Sequence, residues 1–132
     1  MSRHDFTNSS ILVKDIMTKA LISVNIETTV FQVAKMMEQG GIGAVLVKTD
    51  DHIIGIITDR DYATKIVSHN LPSDTPVEKI MSSPIITINF DESISAAAQR
   101  MTSKKIRKLG VTDNGKIIGL ITSTDLVTQL AK

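Results

Sequence analysis

The sequence predicts a mixed α/β (α+β) fold made of two β-α-β-β-α repeats that pack sheet to sheet with pseudo-twofold symmetry. Three observations carry this expectation. Shifting the chain by 64 positions lays it over itself without a gap, with 16 identities in the 56 pairs from Val13/Val77 to Ser68/Lys132. Ordinary residue usage would give about 3 to 4. Within each copy, apolar residues recur first at helical spacing and then in short strand-like runs. Turn formers separate these runs, above all Asn114-Gly115, a strong hairpin signal.

Each element follows from its residues. Residues 1–12 read as a polar N-terminal tail, the first repeat spans 13–68, residues 69–76 are a linker rich in turn formers, and the second repeat spans 77–132. A short lead-in helix around residues 14–17 precedes an extended stretch over residues 21–24. Thr29 can cap the next helix, with Gln32 at the reciprocal position, and Val30, Val33, Ala34 and Met37 form its apolar face. Ile94, Ala97, Ala98 and Met101 hold the same places in the second copy. Gly40-Gly41 ends the first of these helices. Strands are expected near 43–47 and 53–57, then near 108–111 and 116–121. Last helices follow Thr58 and Thr122, with apolar faces of Tyr62, Ala63 and Ile66, and of Leu126, Val127 and Leu130. A unit of about 55 residues has a marginal core alone, so the two copies are expected to share one globular module.

Composition excludes several classes. With 132 residues the chain is too short for a barrel enzyme of about 250 residues. Zero cysteine removes disulfides, thiolate metal sites and cysteine nucleophiles, and it fits a reducing, cytoplasmic setting. A net charge of +1 argues against bulk nucleic-acid binding. No apolar run approaches the 20 or so residues of a membrane helix, and the start has no secretory signal. His4, His52 and His69 lie in tail, turn and linker, so no metal site is expected. There is no nucleophile elbow, no phosphate-binding loop of the Gly-x4-Gly-Lys type and no carboxylate couple, so an enzyme is the least expected class.

One element occurs twice. Gly55-Ile56-Ile57-Thr58-Asp59-Arg60-Asp61 returns as Gly119-Leu120-Ile121-Thr122-Ser123-Thr124-Asp125. As plain local structure, Thr at an N-cap with Asp three residues on approximates a capping box and favours the helix dipole. The same geometry suits a ligand: a helix N-terminus offers free N–H groups to an anion, and Asp can accept from a ribose diol. The two glycines would let a backbone approach closely.

Together with the paired Ile-Met lead-ins, Ser82-Ser83-Pro84-Ile85-Ile86-Thr87 and the alanine-rich helix, this element resembles the CBS domain, in the tandem pair called a Bateman module. The resemblance covers about residues 13–132. It implies clefts between the repeats that bind an adenosine derivative such as AMP, ADP, ATP or S-adenosylmethionine as a regulatory ligand, with no obligatory cofactor. It also implies a homodimer in a flat disc. In the site it favours, Asp61 would hold the ribose with Thr58, Asp59 and Arg60 nearby. Ser82, Pro84, Ile85 and Ile86 would flank the base, and Arg107 and Lys108 would contact phosphate. In the second, Thr122, Ser123, Thr124 and Asp125 take the ribose side, and Thr18, Ala20, Leu21 and Ile22 the base side. Gly43 and Ala44 match Arg107 and Lys108, so a phosphate-bearing ligand is expected to prefer the Asp61 site. The family's frequent proline before the strand valine is replaced by Leu46 and Gly110.

Three functions compete: a regulatory module that senses an adenine nucleotide and acts on a separate effector protein, a structural or oligomerisation module in which Thr and Asp are only caps, and a nucleic-acid-binding regulator using Lys104, Lys105, Arg107 and Lys108. Those four cations equally fit a solvated helix end. Met36, Met37 and Met101 read as core fillers; the lead-in Met17 and Met81 could line the clefts, though packing is the stronger expectation.

Overall fold

The computed structural model describes residues 11–132, so His4 and most of the expected polar tail lie outside the described residues. In chain order the elements are α1 (Val13–Ile16), β1 (Ser23–Asn25), α2 (Val30–Gly40), β2 (Ala44–Thr49), β3 (His52–Thr58), α3 (Asp59–Asp61), β4 (Thr87–Asn89), α4 (Ile94–Lys104), β5 (Lys108–Asp113), β6 (Lys116–Thr122) and α5 (Ser123–Leu130). A π-helical stretch, Tyr62–Val67, continues α3, and a 3-10 turn, Val77–Lys79, takes the second lead-in position. The fold is mixed α+β with two three-stranded sheets, as the repeat predicts.

The chain divides into two compact units. One is contiguous, Leu21–Ile85; the other is split, joining residues 11–20 to Ile86–Lys132. In the contiguous unit β1 runs parallel to β2, and β2 pairs antiparallel with β3, Leu46 opposite Ile56. In the split unit β4, β5 and β6 repeat the pattern, Gly110 opposite Leu120. Both antiparallel pairs shift register at matching places, after Val47 and after Val111.

Local chemistry accounts for these elements. Thr29 Oγ1 accepts from Gln32 N at 3.1 Å, and Gln32 Oε1 accepts from Thr29 N at 2.9 Å, completing the box the sequence offers. Ser93 Oγ caps α4 by accepting from Ala96 N at 3.1 Å; Ala96 cannot return a bond, so this box is half made. Gly41 closes α2 in the left-handed region (φ 62°), as expected. Lys105 adopts the same conformation after α4 (φ 57°) despite its Cβ. Asn114 and Gly115 both have positive φ, as a type I′ hairpin turn requires, and Asp50 and Asp51 do the same in the other hairpin.

Each unit buries its own core. Val33, Val45, Val47 and Ile57 are fully buried in the contiguous unit, and Val13, Leu109, Val111 and Ile121 in the split one. Val13 and Val77 show that each lead-in packs with the other copy's sheet. Val77 N donates to Thr28 O at 2.8 Å, and Ser82 exchanges two backbone bonds with Ile56. Val13 N donates to Glu92 O at 2.8 Å, and Thr18 exchanges two bonds with Leu120. A repeat read along the sequence is therefore not a unit in space.

The last helices differ from expectation. Ile66 is buried and Tyr62 half-buried, but Ala63 is exposed. On α5 only Leu126 packs on the core, while Val127 and Leu130 are 63% and 58% exposed. Helical spacing marks an apolar stripe but not how much of it the unit's own sheet covers.

Candidate functional site

The twice-used element forms a strand-to-helix turn in each unit. In the contiguous unit β3 delivers Thr58, and Asp61 follows in the first helical turn. Asp61 is 6% exposed and is one of two buried polar or charged residues among those described. Its Oδ2 accepts from Thr58 N at 2.8 Å and from Thr58 Oγ1 at 3.4 Å. Its Oδ1 is ion-paired with Lys65 Nζ at 3.1 Å. The same ammonium donates to Ile80 O at 2.9 Å and reaches Ser82 Oγ at 3.5 Å. Three acceptors match the three N–H donors of a lysine. Beneath the turn, Tyr62 Oη donates to Val30 O at 2.6 Å. Burial, with the Asp61 charge second, pushes the Tyr62 phenol up to about 12.

In the split unit Thr122 and Asp125 make a full reciprocal box. Asp125 Oδ2 accepts from Thr122 N at 2.9 Å, and Thr122 Oγ1 accepts from Asp125 N at 3.2 Å. Asp125 is half-buried, and the position matching Lys65 is Gln129. A carboxylate has about four acceptor sites, so toward the described residues Asp125 keeps more free capacity than Asp61.

The expected residues divide between the two units. Thr58, Asp59, Arg60, Asp61, Ser82, Pro84 and Ile85 all belong to the contiguous unit. Asp59 and Arg60 are exposed, and Asp59 N donates to Gly43 O at 3.2 Å. Ser82 lies on β3 beside Ile56 and shares Lys65 with Asp61; Ser83 Oγ donates to Ile54 O at 2.7 Å. Thr18, Ala20, Thr122, Ser123, Thr124 and Asp125 belong to the split unit, where Thr18 pairs with Leu120. Ile86 belongs there too, its carbonyl accepting from Gly110 N at 3.0 Å. Leu21 and Ile22 belong to the contiguous unit, with Ile22 O accepting from Leu46 N at 2.9 Å.

Two of the expected groups have defined surroundings. Arg107 and Lys108 were expected beside Asp61. The structure puts them in the unit that carries Asp125: Lys108 is the strand partner of Thr122, and Arg107 O accepts from Ser123 N at 2.9 Å. The register of a two-stranded hairpin forces this, because the start of β5 must face the end of β6. The glycines do let a backbone approach closely, and it is the backbone of the lead-ins. A Cβ on Gly55 would stand 2.5 Å from Met81 Sδ, and one on Gly119 2.8 Å from Met17 Sδ and 2.9 Å from Thr18 O. Both glycines make way for the lead-ins, so Met17 and Met81 are packing residues.

Sequence reading missed Lys65. The signal was present: an acidic residue four positions before a lysine on one helix is a favourable pair.

Comparison with known proteins bears on these duplicated turns. The CBS domain family model matches residues 13–68 and 77–132, and the chain belongs to that family as a tandem pair. It is 36% identical over 121 residues to an uncharacterised protein of Methanopyrus kandleri, covering 89% of this chain and 62% of that protein. It is 32% identical over 117 residues to the CBS domain-containing protein YhcV of Bacillus subtilis, covering 89% and 84%. Among solved structures, a putative signal-transduction protein with CBS domains from Burkholderia ambifaria superposes with a TM-score of 0.85 at 36% identity, covering 90% of this chain and 93% of that one. The CBS domain pair of protein MJ0100, solved in complex with 5′-methylthioadenosine and S-adenosyl-L-methionine, superposes with a TM-score of 0.81 at 28% identity, covering 91% and 95%. Among the described residues, no helix is long and apolar enough to cross a membrane.

Proposed function

We propose that this chain is a regulatory module, not an enzyme, which binds an adenosine-containing ligand at the Asp61 and Asp125 turns and acts on a separate effector protein. One observation carries the reading. Both carboxylates sit in the first turn of a helix that follows a strand, and each is oriented by the backbone N–H of its threonine at 2.8–2.9 Å. A carboxylate fixed in this way accepts from vicinal hydroxyls without reorganising, which favours a ribose. The adenosine-type ligands of the MJ0100 pair, a relative of the same fold, support that class. Arg107 and Lys108 beside Thr122 and Ser123 favour the Asp125 turn for phosphate-bearing ligands such as AMP, ADP or ATP. Exposed Val127 and Leu130 on α5 support self-association into a homodimer.

A purely structural role for the turns is the second reading, favoured by the nearly complete satisfaction of Asp61 within the protein. Isothermal titration with AMP, ADP, ATP and S-adenosylmethionine separates the two. The proposal expects saturable binding that weakens about tenfold or more, about 1.4 kcal/mol, in Asp61→Ala or Asp125→Ala. Silence from folded protein across the panel overturns it.

A further inference from the structure

The two turns solve one electrostatic problem in different ways. A buried or half-buried carboxylate that reads a ribose stands close to the phosphate of any nucleotide it holds, and the two anions repel. The Asp125 turn has Arg107 and Lys108 at the start of the neighbouring strand, where the contiguous unit has Gly43 and Ala44. The Asp61 turn has Lys65, where the split unit has Gln129. Each turn thus keeps a cation, placed on a different element.

We infer that Lys65 is the charge-compensating specificity residue of the Asp61 turn, and that its ion pair with Asp61 is what allows this turn to accept an anionic, phosphate-bearing adenosine ligand. This rests on the proposed adenosine-binding function. Lys65 Nζ is held by Asp61 Oδ1, Ile80 O and Ser82 Oγ, so it is spent on protein acceptors and acts through charge and through the placing of Asp61. The exposed Asp59 and Arg60 on the same turn offset one another. Lys65 therefore decides the sign: with it the four charges of the turn cancel, and without it the turn is anionic. A side chain 38% exposed on the lysine side and 9% on the aspartate side retains a strong local effect, since the desolvated partner is the carboxylate.

The test compares AMP with uncharged adenosine as probes, in an Asp125→Ala background that leaves the Asp61 turn as the adenosine site. Lys65→Gln, which copies the residue of the other unit, is expected to weaken AMP about tenfold while changing adenosine less than threefold. Lys65→Arg is expected to restore the preference for AMP. A merely structural role would weaken both probes alike, so an unchanged AMP-to-adenosine affinity ratio in Lys65→Gln overturns the inference. Lys65→Met provides a second neutral variant should the glutamine variant fold poorly, and the same ratio is read from it. Binding of neither probe by the unaltered protein, in contrast, overturns the adenosine reading itself.

Discussion

The Asp61 and Asp125 turns descend from one sequence element, yet they differ in how completely the protein has used their carboxylates. At Asp61 both oxygens are engaged, by Thr58 on one side and Lys65 on the other. At Asp125 one oxygen serves the cap, and the threonine hydroxyl is turned to accept from Asp125 N. The difference teaches that a capping motif fixes where a carboxylate stands, whereas residues a turn further on decide what that carboxylate can still do. The first turn is buried and internally neutral; the second is half-buried and adjoins the cations at the start of β5.

The largest effect should come from the glycines beneath the two turns. Gly119→Ala would drive a Cβ to 2.9 Å from the Thr18 carbonyl, a backbone atom that cannot step aside, as well as to 2.8 Å from Met17 Sδ. Gly55→Ala meets chiefly the flexible Met81 thioether, with the Ser82 carbonyl at 3.1 Å. Chemical denaturation is expected to show about 3 kcal/mol lost for Gly119→Ala and clearly less for Gly55→Ala. Equal losses would mean that the lead-ins yield alike and that this asymmetry has no mechanical weight.

Next in size is the pair of carboxylates. Asp61→Asn removes the partner of a lysine and alters a buried hydrogen-bonded charge, an expected cost of about 2 kcal/mol. Asp125→Asn weakens a half-buried cap and should cost about 1 kcal/mol or less. If the two variants unfold at the same denaturant concentration, the Lys65 pair contributes nothing to stability and the contrast between the turns is one of binding alone.

The smallest effect concerns Tyr62, the sole tyrosine in a chain without tryptophan, so phenolate absorbance reports it alone. Its ionisation in the folded protein should have a midpoint near 12 rather than 10. The folded state holds this proton more tightly than the unfolded chain. The associated stability is therefore complete below pH 10 and is lost as the pH rises from about 10 towards 12. Tyr62→Phe forfeits the bond to Val30 O, about 1 kcal/mol, and should abolish that alkaline dependence. An ordinary midpoint near 10 would place Tyr62 in a wetter setting and loosen the support beneath Asp61.

Much of the fold was legible because its signals are local. Thr29 and Gln32 lie three residues apart and bond as their spacing implies; Asn114-Gly115 turns as its backbone preferences require. The duplicated Thr and Asp were legible because they recur. What escaped depends on residues brought together by tertiary pairing. Lys65 joins Asp61 to Ile80 and Ser82, and only the Asp61 contact lies on one helix. Family resemblance assigned Arg107 and Lys108 to the Asp61 site, while the hairpin register by itself ties the start of β5 to the end of β6. The π-helical stretch after Asp61 has no counterpart in α5, and no residue pattern announced it.

The exchange of lead-ins also imposes an order of assembly during synthesis. Residues 21–85 form a unit that is contiguous along the chain, so every partner it needs has left the ribosome once Ile85 has emerged. The split unit is different: Thr18 waits for Leu120, closing a loop of about a hundred residues. Val13, destined for full burial, is made well before the residues that cover it, Ile88 to Ile121. Residues 13–20 thus emerge before the strands they pair with, and residues 21–85 can complete their sheet while that segment still awaits its partners.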